Sequence, residues 1–285
     1  MNVSIIGIKG FIGSNLSKYL IDNGINVTGI LRKDLDNHDV LRKKIMKSEV
    51  VINMSGISVA GIWTRVKRRK IYESRVLVTK KIAELVNESK KDLVYINASA
   101  VGIYNRTDLH SENSSYYANN FLSEVVVDWE REVMKINNKV VRWIILRMGL
   151  VMEKNGGYLG RQNFLLKRGI SIIVGRKDEY LPMISLEELM NIILFIIHTK
   201  GINGVVNAVT PFMVTTGEFY KSLRAAKRIK FFIKIPDILV RLLLGEASLI
   251  FLEGQRVVPE KLMKNNYHFR DKRLKDMLVN ILKDE

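Results

Sequence analysis

The chain has 285 residues, enough for one large domain or for a domain with a smaller lobe. It contains no cysteine, which excludes disulfides and thiolate metal sites, and its four scattered histidines argue against a structural zinc centre. The net charge of +17 admits an anionic partner, but basic residues occur in every segment without aromatic interleaving, so we read lysines on solvated faces and disfavour a nucleic-acid partner.

The densest basic cluster is Arg65, Lys67, Arg68, Arg69 and Lys70. The most apolar run, Ile192–Ile197, is far too short to span a bilayer, and Ile238–Leu252 is broken by Arg241, Gly245 and Glu246. No basic segment precedes the first apolar residues, which read as a strand of the fold rather than a signal peptide. The expectation is a cytoplasmic protein without membrane insertion.

Val3–Ile6 predicts a short buried strand that runs into Gly7, Gly10 and Gly13, followed by a helix with Ile12, Leu16, Tyr19 and Leu20 on one face. Strand, glycine turn and helix in that order make an anion site. The helix start offers unpaired N–H groups and a positive dipole end, and the glycines let a pyrophosphate approach the backbone. Gly7 and Gly10 suit the tight turn, and Gly13 suits close packing of helix on strand. A turn of this composition also occurs without a ligand.

Asn23-Gly24 ends the helix, and Ile25–Leu31 reads as a second strand ending in Arg32-Lys33. An acid at this place binds the ribose hydroxyls of NAD, whereas an Arg accommodates the 2′-phosphate of NADP. Arg32 and Lys33 favour NADP(H) over NAD(H), with Asp34 pointing the other way. Val40–Lys47 predicts a helix and Glu49–Asn53 a third strand, whose end, Asn53-Met54-Ser55-Gly56, faces the same crevice. Trp63–Glu88 reads as one long helix, and Leu93–Asn97 as a fourth strand leading to Ser99 and Tyr104. After a polar loop, Asp108–Asn120, a helix carries Leu122, Val125, Val126, Trp129 and Val133 on one face. Val140–Leu146 is another buried strand, ending in Arg147. This alternation marks an α/β fold, a Rossmann-like, doubly wound parallel sheet.

Beyond Val151 the rhythm changes. A loop at Asn155-Gly156-Gly157 precedes a helix with Leu159 and Phe164, and Gly175–Pro182 is a further loop. Leu186, Leu189, Met190, Ile193, Leu194 and Ile197 mark a helix, Gly204–Ala208 a short strand, and Phe219–Lys227 a helix. The rest reads as mostly helical, with starts at Pro236 and Pro259. We expect three parts: 1–150 for the dinucleotide, 151–235 contributing to the sheet and the substrate cleft, and 236–285 a small, mainly helical region completing a substrate lobe.

Many short markers in order resemble the extended short-chain dehydrogenase/reductases, and among them the "epimerase family" proteins that carry a sugar-nucleotide epimerase label. The markers include Gly10-Phe11-Ile12-Gly13, Val51-Ile52-Asn53, Ser74-Arg75-Val76, Ser99-Ala100-Val101-Gly102, Asp128-Trp129-Glu130, Leu146-Arg147, Asn207-Ala208-Val209 and Gly254-Gln255-Arg256-Val257. The resemblance implies a Rossmann-like domain that binds NADP(H), and a C-terminal region of its own from about Pro236. It places Leu31 and Arg32 at the adenosine phosphate end, Met54 and Ser55 along the cofactor, and Arg75 and Val151 as further cofactor contacts. Lys70 stands where the family has an acid, Lys9 adds a side chain near the phosphates, and Ser185 replaces a usual His before Glu187 and Glu188.

Short-chain reductases use a Tyr as general acid/base, with its pKa lowered by a Lys four residues on and a Ser orienting the substrate oxygen. None of the ten tyrosines here has Lys at that spacing, and the equivalent helix start reads Phe121 to Val125. Ser99 is then a candidate partner for substrate or nicotinamide, or a turn serine. Tyr104 is a candidate proton donor, or a residue packing the cleft wall. Arg147 is a candidate ligand for a substrate anion, or the partner of a core carboxylate. Glu187 and Glu188 read as helix N-terminal charges favoured by the dipole. Two functions follow: an NADP(H)-dependent oxidoreductase or epimerase with an atypical site and an unknown small-molecule substrate, or a non-catalytic NADP(H)-binding regulator. The sequence does not fix the oligomeric state.

Overall fold

Six short runs rich in Val and Ile lie side by side as one parallel sheet. They are β1 (Asn2–Ile6), β2 (Asn26–Ile30), β3 (Val50–Asn53), β4 (Leu93–Ala100), β6 (Val141–Met148) and β10 (Gly204–Ala208), with β5 (Leu109–His110), β7 (Leu150–Glu153), β8 (Ile170–Ile173) and β9 (Met183–Ser185) outside the sheet. The order across the sheet is β10-β6-β4-β3-β1-β2. The computed structural model describes residues 1–160, 162–227 and 229–283. Residue 161, within the predicted Leu159–Phe164 helix, and residues 284 and 285 of the predicted C-terminal region lie outside the described residues.

Strand order reverses at β1, which pairs with β2 on one side and β3 on the other. A crevice opens outside the carboxyl ends of parallel strands at such a point. Helices α1 (Phe11–Asp22) and α9 (Leu186–His198) cover one face, with Leu16, Leu20, Leu189 and Ile193 in a core with Val3, Ile5 and Ile52. The other face packs Ile6, Val51 and Tyr95 against α3 (His38–Lys47), α5 (Val78–Asn87) and α6 (Phe121–Met134) through Ile45, Ile82 and Val133. α2 (Arg32–Leu35) follows β2 directly.

The predicted helix Trp63–Glu88 is α4 (Arg65–Tyr72) and α5 joined by one wide π-helical turn, Glu73–Leu77. Such turns concentrate at functional sites. The largest correction concerns the second half. Short strands β7, β8 and β9 precede α9, and β11 (Phe231–Lys234) and β12 (Arg256–Val257) lie in the stretch read as helical. They pair across long separations, β8 with β11, β7 with β9, and β5 with β12. The helices there are α7 (Gly157–Gly160), α8 (Asn163–Leu166), α10 (Thr216–Lys227), α11 (Asp237–Leu244), α12 (Leu249–Leu252), α13 (Glu260–Lys264) and α14 (Leu274–Leu282). Among the described residues, no helix is long and apolar enough to cross a membrane.

Candidate functional site

The glycine turn and the end of β3 meet at the switch point. The Met54 N–H donates to the Ile6 carbonyl at 3.0 Å, and Gly10 N–H donates to Gly7 C=O at 2.8 Å. Gly7 has φ +79°, and a Cβ there would lie 2.7 Å from the Met54 carbonyl oxygen. A Cβ on Gly13 would lie 2.2 Å from the Gly7 carbonyl oxygen. Only glycine fits either position. No side chain caps the first turn of α1, and that turn holds no acid, so its N–H groups are left for an anion. Phe11 and Ile12 contribute backbone here. The Phe11 ring packs on Gly156 and Gly157, and Ile12 packs on the core beneath α1.

From this turn an open cleft of about 1030 Å³ runs past the ends of β1, β2 and β3. Its walls carry the cations Lys9, Arg32, Lys33, Lys70 and Lys81 and the acids Asp36 and Glu73. Glu73 is engaged by Arg69 at 2.7 Å. Arg32 and Lys33 are exposed and, among the described residues, make no hydrogen bond or ion pair. Asp34, the acid that pointed towards NAD, is turned away. It is buried, its Oδ2 accepts the Leu31 N–H and the Lys44 ammonium, both at 2.7 Å, and Lys44 also donates to the Gly29 carbonyl. These hydrogen bonds, that of Lys44 first, hold its carboxyl below the usual range.

Met54, Ser55 and Gly56 form the opposite wall with Ile57 and Ser74. The Ile57 N–H donates to Ser74 Oγ at 3.2 Å, tying the β3 loop to the π-turn. Arg75, in the same turn, donates to the Ile57 carbonyl at 3.0 Å, and its guanidinium lies 5.5 Å over the Trp129 ring. Burial pushes its pKa down to about 10. Arg75 therefore braces the loop at Gly56 from behind, outside the cleft lining. Val151 lies on β7, paired with Ile184, also outside that lining.

Beneath this wall lies a polar network that the sequence reading missed. Asn53 donates to Thr79 Oγ1 at 2.9 Å and to Asn97 Oδ1 at 2.8 Å, and accepts from the Ser55 hydroxyl at 2.6 Å. Tyr95 and Trp129 donate into the same network, to Asn97 and Thr79. Its signal was an Asn ending each of two adjacent Val- and Ile-rich strands.

The candidates at the other end of the crevice are corrected by their surroundings. Ser99 is buried and donates to Glu130 Oε1 at 2.5 Å. Arg147, 1 % exposed, holds the same carboxylate through Nε at 2.8 Å and Nη2 at 2.6 Å. Burial opposes the charge of Arg147, and Glu130 more than offsets that and raises its pKa. Tyr104 is wholly buried, accepts from Arg147 Nη1 at 2.7 Å, and donates towards Asn207 Oδ1 at 2.9 Å. Burial raises its pKa. These three residues come together as a largely buried network in which Arg147 neutralises a core carboxylate, the second of the two roles expected for it. Arg147 Nη2 also donates to the hydroxyl of the exposed Tyr117 at 3.4 Å, so the network reaches the surface there, while Tyr104 itself is buried.

At the start of α6, the Phe121 N–H is capped by Glu246 Oε1 at 2.9 Å, and Glu246 Oε2 accepts from Arg68 at 2.5 Å. The Arg68 guanidinium lies 4.8 Å over the Phe121 ring. Leu244, Ala247 and Ile250 share one apolar cluster with Met54, Ala98, Phe121 and Met148. The C-terminal region thus closes over the strand ends at this side. Ser185 caps α9, accepting the Glu188 N–H, and Glu188 accepts from the backbone of Arg270 and Asp271, away from the cleft. The basic cluster also disperses: Arg68 and Arg69 are paired and Lys70 faces the cleft.

Residues 3–152 match the family model of the NAD-dependent epimerase/dehydratase family. The chain belongs to that family. Residues 235–281 match a domain of unknown function, DUF1731. Among curated relatives, the chloroplastic epimerase family protein SDR39U1 homolog of Arabidopsis thaliana is 28% identical over 303 residues, covering 99% of this chain and 87% of the relative. Among solved structures, human epimerase family protein SDR39U1 (isoform 2) with NADPH superposes with a TM-score of 0.90 at 24% identity, covering 99% of both chains. A nucleoside-diphosphate sugar epimerase from Corynebacterium glutamicum is 27% identical with a TM-score of 0.78, and this chain spans 58% of its length. The family match extends the NAD(P)-binding reading to the first half, and the fold likeness covers the whole chain.

Proposed function

We propose that this protein binds NADP(H) in preference to NAD(H) across the β1/β3 switch point, as an oxidoreductase or epimerase-like protein acting on an unidentified small molecule. The observation that carries the reading is the withdrawal of Asp34 by Lys44 and the Leu31 N–H, which leaves two unbonded cations, Arg32 and Lys33, at the end of β2. A 2′-phosphate meets two cations there, Arg32 and Lys33, against one exposed acid of the cleft wall, Asp36. The pyrophosphate would lie over Gly7, Gly10 and the amides of Phe11, Ile12 and Gly13. Leu31 and Arg32 would flank the adenosine end. Met54, Ser55 and Gly56 would line the cofactor, with Arg75 bracing that wall and Val151 beyond it. When bound, the cofactor supplies a hydride donor or acceptor at its nicotinamide ring. The human relative crystallised with NADPH supports this choice. A sugar nucleotide as substrate rests only on the names of relatives and of similarly folded proteins, such as the Corynebacterium epimerase.

A second reading, a cofactor-binding regulator without turnover, draws on one observation: Glu246 of the C-terminal region locks the Phe121 amide. In that reading Phe121 takes the place of the proton donor of short-chain reductases. Both readings are tested by titrating the protein with NADPH and with NADH while following nicotinamide fluorescence. Saturable NADPH binding that outcompetes NADH supports the cofactor reading, and no binding of either overturns it. Oxidation of bound NADPH by any of a panel of carbonyl compounds then favours the enzyme, and tight binding without oxidation the regulator.

A further inference from the structure

The C-terminal region carries a surface that the cofactor cleft does not use. β11 exposes Phe231 and Ile233, and two residues link it to α11. On α11, Ile238 and Leu242, at 77% and 80% exposure, and Leu239 and Leu243 form i, i+4 pairs pointing outwards, while Val240 is buried. Scattered exposed apolar residues are ordinary, but six within residues 231–243 form a patch of the kind that marks an interaction site. Lys230, Lys234 and Arg241 are exposed at neighbouring positions, Arg241 on α11 among Ile238 and Leu242, Lys230 just before β11 and Lys234 at its end. From Lys221 to Leu243 the sequence has seven Lys and Arg and one acid, Asp237. Asp237 is half-buried, with its Oδ1 shut off from solvent.

We infer that the β11–α11 face docks on an anionic lipid bilayer, lying on the surface without crossing it. Apolar side chains flanked by cations suit the boundary between headgroups and acyl chains, and a helix of eight residues is too short to span. A second copy fits poorly, because a two-fold contact through this face would set Lys230, Lys234 and Arg241 against their own counterparts. Isoleucine and leucine also offer no stacking platform for nucleic-acid bases.

The test is co-sedimentation of the full chain with phosphatidylcholine vesicles, with and without a share of phosphatidylglycerol, at low and raised salt. Binding is expected only to the anionic vesicles, weakening with salt. Arg241→Gln weakens it about fivefold and Leu242→Glu at least roughly tenfold. Ile21→Glu, an equal charge change at an exposed apolar residue of α1, leaves it within about twofold, since the screened effect of one distant charge is small. Thermal melting of each variant separates lost binding from lost folding. Absence of binding to anionic vesicles at low salt overturns the inference, as does equal binding to neutral vesicles or full binding by a folded Leu242→Glu. A dimer that Leu242→Glu dissociates, without vesicle binding, also overturns it and gives the face to a second copy.

Discussion

The two ends of the crevice are built differently. At the adenosine end, Arg32 and Lys33 are exposed and unbonded beside an open cleft, and of the two nearby acids Asp34 is held away by Lys44 while Asp36 stays exposed in the cleft wall. At the strand ends of β4 and β6, Ser99 and Arg147 both donate to Glu130, Arg147 also donates to Tyr104, and all are buried. The first arrangement is poised to receive charge from outside, because its groups have no partners in the protein. The second has already satisfied its groups, so removing one costs stability rather than ligand affinity. A reactive residue type at the end of a strand is therefore a site only where its polar atoms are left open.

The largest effect should come from Arg147→Met, which strands the Glu130 carboxylate in the core. Urea denaturation should show a loss of about 3–5 kcal/mol, the usual cost of breaking a buried pair from one side. A loss within about 0.5 kcal/mol, ordinary for a surface change, would return Arg147 to the role of substrate ligand. Next is Gly13→Ala at the open end. Its methyl group meets the Gly7 carbonyl, so NADPH fluorescence enhancement should disappear, with about 1–3 kcal/mol of stability lost to overpacking. Retained binding would detach the glycine turn from the cofactor.

Tyr104→Phe sharpens the contrast further. It leaves the donors of Arg147 and the acceptor of Asn207 short of a partner, so about 1–2 kcal/mol of stability should be lost while NADPH affinity stays unchanged. Unchanged stability with abolished turnover would instead make the hydroxyl a proton donor. The smallest effect is pH-dependent. Because Asp34 is held below its ordinary value of 3.8, its stabilising contribution is full above that value and is lost as the pH falls through the lower folded value. Asp34→Asn should therefore flatten the acid limb of the stability profile, and an unaltered limb would mean that the Lys44 contact is not maintained in solution.

The sheet was legible because its strands are runs of Val and Ile punctuated by glycine turns. The cofactor turn was legible because three glycines at fixed spacing have a steric reason. β5, β7, β8, β9, β11 and β12 escaped because elements of two to four residues show no period, and their partners lie far along the chain. The inward turn of Tyr104 and Arg147 was hidden for a different reason. Residues at a strand end alternate between crevice and core, and the burial of Glu130 one helix earlier decides which face needs a cation. Asp34 had a readable half, since an acid in the third position of a helix can bond back to the residue before it, whereas its Lys44 partner required the tertiary fold.

The most direct measurement is calorimetric titration with adenosine 2′,5′-bisphosphate and with adenosine 5′-monophosphate, for the native chain and for Arg32→Ala. The account predicts that the 2′-phosphate strengthens binding about tenfold or more, as charge-assisted hydrogen bonds do, and that Arg32→Ala erases most of that gain. Equal affinity for the two nucleotides in the native chain would contradict it.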